Sequence, residues 1–165
     1  MRATIIIGGL CWMSQLAAVA HAQTVASPAP SPDAARTTPI YAPFSNLRWE
    51  RIMPALGAGS PEITFLHVDP TTHATQLMIR VPAGFHVAKH WHTANETHTI
   101  VSGTFIMDHN GERVALGPGS FNYMPSHMVH EAWTKPTEGV LLFITVDGAW
   151  DVNWVEGPPA TPAHQ

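Results

Sequence analysis

The chain has 165 residues, a one-domain length that can bury a real hydrophobic core. Only 12% of them are Asp, Glu, Lys or Arg, and the net charge is −4. The charges are scattered singly, which excludes a nucleic-acid-binding stripe and a polybasic membrane patch; the 11 histidines are the unusual feature.

In chain order, residues 1–22 read as a signal peptide. Arg2 supplies a short positive start, residues 3–20 are mostly small or apolar, and Ala20-His21-Ala22 is an A-x-A cleavage signal. Ser14 and Gln15 interrupt the apolar run, which is short for a membrane span. No twin-arginine pair is present, so export unfolded by the general route is expected, to a periplasmic or secreted location. Cys11, the single cysteine, falls inside this segment. The mature chain is then expected to carry no disulfide and to acquire any metal after export. Residues 23–43, rich in Pro, Ala and Ser, read as a flexible tether and residues 157–165 as a disordered tail. The folded domain is expected over 44–156.

Within that domain, short apolar or β-branched runs alternate with turn signals. The runs are 47–53, 62–68, 75–81, 97–101, 104–109, 113–116, 120–124, 129–134, 140–146 and 150–155. Between them lie Asp69-Pro70, Asn110-Gly111, Gly117-Pro118-Gly119 and Asp147-Gly148, and Asn110-Gly111 is a type I′ hairpin signal. No stretch holds a helical period over three turns, so the chain is predicted to be all-β, a sandwich or barrel.

The chemistry concentrates after Gly84. His90 and His92, one residue apart, share a side of an extended chain. Glu96 follows after a gap long enough for the chain to bend back. His130, on a later strand, can lie beside the first stretch and add a third imidazole. Three imidazoles and a carboxylate suit one divalent transition metal, with room left for water, dioxygen or substrate.

These residues carry a specific resemblance. Gly84, His90, His92, Glu96 and Gly103 match every fixed position of the first cupin motif, G-x5-H-x-H-x3-E-x6-G. Gly119, Pro125 and His130 match the second, G-x5-P-x-G-x2-H-x3-N, which departs at His127 and Thr134. The chain is thus similar to small single-domain cupins. The resemblance implies a jelly-roll β-barrel, metal ligation by His90, His92, Glu96 and His130, and a homodimer paired through sheet edges. Copper is the favoured metal, because affinity among divalent ions peaks there; iron or manganese come next, then zinc or nickel.

His98, two residues after Glu96, is expected on the same side, as a pocket acid or base or as a packed rim residue. His127 is a second candidate catalytic group, and His86 is a lesser candidate for the mouth. Phe105, Met107, Tyr123 and Phe143 are expected to fill the barrel. Trp91 and Trp133 should face away from the metal, in packing or as a platform for sugar rings. Three functions compete: an oxidoreductase using dioxygen or peroxide on a carbohydrate or small organic acid; a non-redox isomerase, lyase or hydrolase; and a non-catalytic metal- or sugar-binding module.

Overall fold

The computed structural model describes residues 38–159. The expected signal peptide, residues 23–37 of the tether and residues 160–165 of the tail lie outside the described residues. The described residues form eleven strands and two 3-10 turns, Phe44–Asn46 and Pro54–Gly59. The strands are β1 (Glu50–Arg51), β2 (Glu62–Val68), β3 (Thr75–Val81), β4 (His86–Trp91), β5 (Glu96–Ser102), β6 (Phe105–His109), β7 (Glu112–Leu116), β8 (Phe121–Met124), β9 (His130–Thr134), β10 (Val140–Val146) and β11 (Asn153–Trp154). They make two sheets, ordered β1-β2-β3-β10-β5-β8 and β11-β4-β9-β6-β7. Every pairing within them is antiparallel. The all-β jelly roll expected from the sequence is the fold observed.

Alternation along the strands builds the core. β10 lies between β3 and β5, and buries Val140, Leu142, Ile144 and Val146 while the residues between them stay half-buried on the outer side. Leu77, Ile79 and Val81 of β3 and Ile100 of β5 meet them inside. Each such fully buried side chain contributes about 1.5–3 kcal/mol relative to exposure. Phe105 and Met107 join this core as expected. Tyr123 and Phe143 do not. Phe143 sits between Leu142 and Ile144, and so faces outward; Tyr123 is 54% exposed on β8, out of phase with the buried Met124.

Two further details differ from the sequence reading. The run 47–53 yields only the two-residue β1, and residues 86–91, a mixed stretch not singled out as a run, form β4. The predicted Asn110-Gly111 hairpin is present, joining β6 and β7 with both residues at positive φ (52° and 84°). Gly103, at φ 79°, turns β5 into β6 where a Cβ would lie 2.0 Å from the Gly139 carbonyl oxygen. At Thr134, where the second motif departs, the buried hydroxyl donates to Pro82 O at 2.7 Å and accepts the Phe85 N–H at 2.8 Å. That ties β9 to the turn carrying Gly84.

The β4–β9 ladder positions the site. His86 pairs Trp133 and Val87 pairs Ala132, yet His90 pairs His130. Three residues of β4 thus match two of β9, a bulge at residues 88–89 that reverses the phase of the strand. Val87 and His90 both face the interior, and His86 faces out.

Candidate metal centre

The three imidazoles converge between the two sheets. His90 and His130 come from paired positions on β4 and β9, and His92 lies just beyond the end of β4. One ligand nitrogen of each falls within 4.8 Å of the others, and all three residues are buried. Their ring centroids are 4.2 Å (His90–His130), 5.0 Å (His90–His92) and 5.3 Å (His92–His130) apart. This His90/His92/His130 cluster can bind a metal ion.

The backbone sets the tautomer of each ring. His90 Nδ1–H donates to Ala88 O at 2.7 Å, His130 Nδ1–H to Met128 O at 3.0 Å, and His92 Nδ1–H to Asp151 O. With Nδ1 protonated in all three, each neutral ring presents the lone pair of Nε2, the arrangement that orients histidine ligands in metal sites.

Glu96 opens β5 and enters from the opposite sheet. It is 1% exposed. Trp150 Nε1–H donates to its Oε1 at 3.0 Å. Its Oε2 accepts no aligned hydrogen bond, although His92 Nε2 lies 2.9 Å away and His98 Nε2 3.1 Å away. A lone-pair nitrogen facing a carboxylate oxygen at 2.9 Å needs a proton shared between them or a metal ion beside them. Two neighbouring ligands on an ion with bonds of about 2.1 Å stand about 3 Å apart. The donor set and the spacing therefore fit a metal ion, with His90, His92 and His130 as the converging nitrogens and Glu96 beside His92.

The electrostatics agree with that arrangement. Burial, followed by the nearby His130 and His92, pushes His90 down to about 3, and burial pushes His130 down to about 4. Both rings are neutral at physiological pH, as ligation requires. Burial also works against charge on His92, but Glu96 and Asp151 outweigh it and raise its pKa. Burial likewise works against the Glu96 carboxylate, and the neighbouring His98 and His92 more than compensate, holding its pKa well below the usual value.

The cluster lines a cavity of about 60 Å³. Apolar side chains from both sheets form most of its wall, among them Ile52, Val87, Phe105, Leu142 and Ile144. His98 is buried, lines the cavity, and donates Nδ1–H to Asn122 Oδ1 at 2.8 Å. His127 does not join the site. It is exposed, sits at φ 59° in the turn before β9, and packs its ring 4.7 Å from Trp91 outside the cavity. Its backbone N–H, not its ring, reaches the site region by donating to His92 O at 2.9 Å. His86 is turned outward by the bulge, where it stacks on Trp133 at 4.7 Å and pairs with Glu131 at 2.8 Å.

Trp150, Asp151 and Trp154 are site residues that sequence reasoning missed. Trp150 and Trp154 line the cavity, and Trp154 lies 5.3 Å from the His90 ring. The expected run at 150–155 contains all three, but no spacing rule ties Trp150 to a carboxylate 54 residues earlier.

No curated protein sequence matches the chain. Among solved structures, the polyketide cyclase RemF of Streptomyces resistomycificus superposes with TM-score 0.60 at 15% identity, covering 72% of this chain and 86% of that one. A putative acetylacetone dioxygenase of Methylibium petroleiphilum gives 0.59 at 19% identity, with 76% and 89% covered. The DMSP lyase DddQ of Ruegeria pomeroyi gives 0.54 at 19% identity, with 73% of this chain and 64% of that chain covered. At these identities the likeness establishes the fold. The family described as the ChrR cupin-like domain matches residues 37–148, most of the chain. With the barrel, the gathered imidazoles and this match in hand, the chain belongs to the ChrR cupin-like family of the cupin superfamily.

Proposed function

We propose that the protein is an exported metal-dependent oxidoreductase in which His90, His92, Glu96 and His130 hold one divalent first-row ion beside a small-molecule cavity. Dioxygen or peroxide would serve as oxidant. The observation that carries this reading is the facing of His92 Nε2 and Glu96 Oε2 at 2.9 Å beside the two further buried imidazoles of His90 and His130. A bound ion supplies redox and Lewis-acid capacity. The chain's own groups supply the rest. Backbone carbonyls hold the imidazoles in the ligating tautomer, the wall is mostly apolar, and His98 is placed to hold or move a proton at Nε2. Copper remains the favoured ion, followed by iron or manganese, with zinc and nickel behind them.

The cavity favours a small organic acid with an apolar body over a saccharide. Its ionisable lining side chains are those of the metal site and His98, so sugar hydroxyls against the rest of the wall would lose hydrogen bonds to water without replacement. Export rests on residues 1–22, and the site would be loaded in the periplasm or medium. A homodimer is proposed through the edge strands β7 and β8, where Val114 (46%), Phe121 (61%) and Tyr123 (54%) are exposed.

The test is metal analysis of protein matured in its own compartment, then oxygen uptake over a panel of small organic acids and sugars. His92→Ala should abolish both metal content and turnover. A fully loaded protein that consumes neither oxygen nor peroxide with any of them refutes the redox reading. A second reading, a non-redox lyase or isomerase, is favoured by His98 alone. It lines the cavity 3.1 Å from Glu96, where an acid or base would stand, and it predicts turnover unaffected by removing oxygen.

A further inference from the structure

The four groups of the metal site are not held alike. His90 and His130 are partners in the β4–β9 ladder. His92 and Glu96 instead flank a turn, residues 93–95, that belongs to no strand. Left to itself such a turn is free to move, and a metal site depends on its ligands being fixed from outside.

The turn before β9 supplies part of that restraint, with Ser126 N–H donating to Asn95 Oδ1 at 2.9 Å and its hydroxyl to Thr93 O at 2.7 Å, and the connection between β10 and β11 supplies the rest. The Asp147 carboxylate accepts the Asn95 backbone N–H at 2.9 Å and its Nδ2–H at 2.5 Å. The Asp151 carboxylate accepts the Thr93 backbone N–H at 2.9 Å and its hydroxyl at 2.5 Å. The Asp151 carbonyl takes the His92 Nδ1–H, and the Trp150 indole N–H reaches Glu96 Oε1. One six-residue connection therefore grips the turn and both flanking ligands.

We propose that this connection is a clamp that positions His92, which lies beyond the end of β4, and the carboxylate of Glu96, whose backbone alone is paired within its sheet, with Trp150 as its decisive positioning residue. By holding Oε1, the indole leaves Oε2 as the oxygen turned toward His92 Nε2. The indole also packs against Phe65, ring centroids 6.4 Å apart, and lines the cavity, so the same side chain sets the carboxylate and part of the substrate wall. The proposal rests on the metal reading of the site.

The test uses the whole mature chain and two readouts. In the metal-free protein, the Trp150 indole N–H is followed by hydrogen exchange; it should be protected, and Glu96→Ala should release it. Cobalt(II) is then titrated by visible absorption into the wild type, Trp150→Phe, Glu96→Gln and the double variant. Trp150→Phe keeps a flat apolar ring and removes the donor. It should bind cobalt about 10- to 100-fold more weakly with an altered visible spectrum. In the Glu96→Gln background the same substitution should change affinity little, since its effect travels through that carboxylate. A residue that merely packs would act equally in both backgrounds. An indole N–H that exchanges freely in the wild type overturns the proposal even if Trp150→Phe fails to fold. So does a folded Trp150→Phe protein with wild-type cobalt affinity and spectrum. A wild type that takes up no ion while its indole stays protected is a distinct outcome: it overturns the metal reading, and with it the purpose assigned to the clamp.

Discussion

Acidification of the metal-free protein tests the site's electrostatics without any knowledge of the substrate. His90 and His130 are held at about 3 and about 4, against an ordinary 6.5, chiefly by burial. A group whose folded pKa is depressed contributes stability above its unfolded pKa, and that stability drains away as pH falls. At pH 5 an unfolded imidazole is almost fully protonated, whereas both of these rings remain neutral in the folded state. Each then costs about 2 kcal/mol relative to pH 7.5, and the cost barely depends on whether the folded value is 3 or 4. His92 works in the opposite sense: its pKa is raised, so its contribution is complete below 6.5 and is lost as pH rises through the folded value. The contribution of Glu96 falls away below its ordinary 4.5, outside this window. The two imidazoles together would cost about 4 kcal/mol between pH 7.5 and 5, and the opposing contribution of His92 makes the net loss smaller than that; it is read as a fall in Tm. Thermal unfolding with a chelator present, across that range, measures it. The variant carrying His90→Asn and His130→Asn together should show a much flatter profile. A wild-type Tm that stays level from pH 7.5 to 5, or a double variant that keeps the full slope, refutes the argument.

Three other outcomes follow from the geometry. Leu77→Ala, at a 0% exposed core position, should cost about 2–5 kcal/mol, read as a lower urea midpoint at constant m-value. Gly103→Ala should be far worse than Gly111→Ala. Both residues have positive φ, but only at Gly103 would the new Cβ strike backbone, at 2.0 Å from Gly139 O; the Gly111 change should cost only about 1–2 kcal/mol of left-handed strain. Comparing the two by thermal unfolding separates collision from strain. His127→Ala should leave metal stoichiometry and affinity at wild-type levels by calorimetry, because the ring packs on Trp91 outside the cavity and its only link to His92 is a backbone N–H.

Much of the fold could be read in advance because alternation is a local property. The runs at 62–68, 75–81 and 140–146 coincide with β2, β3 and β10, and in β3 a two-residue period sorts buried Leu77, Ile79 and Val81 from exposed Gln76 and Arg80. The reading failed where neighbours rather than periodicity decide orientation. Tyr123 and Phe143 have core-like side chains but occupy the outward phase of their strands. β4 escaped notice because its alternation is broken by a bulge. Strict alternation back from His90 would also place His86 on the metal side; the extra residue in β4 turns it outward onto Trp133.

The sequence by itself determined the all-β class, the Asn110-Gly111 hairpin and the spacing of the histidines and acid in two motifs. Each depends on contacts within a few residues, which composition and period express directly. The tertiary structure alone decided which groups share the interior. It put His98 in the cavity and His127 outside it, and it brought Trp150 and Asp151 against Glu96 and His92 from more than 50 residues away. Those placements depend on strand register and on a loop crossing between sheets, and neither leaves a periodic mark on the chain.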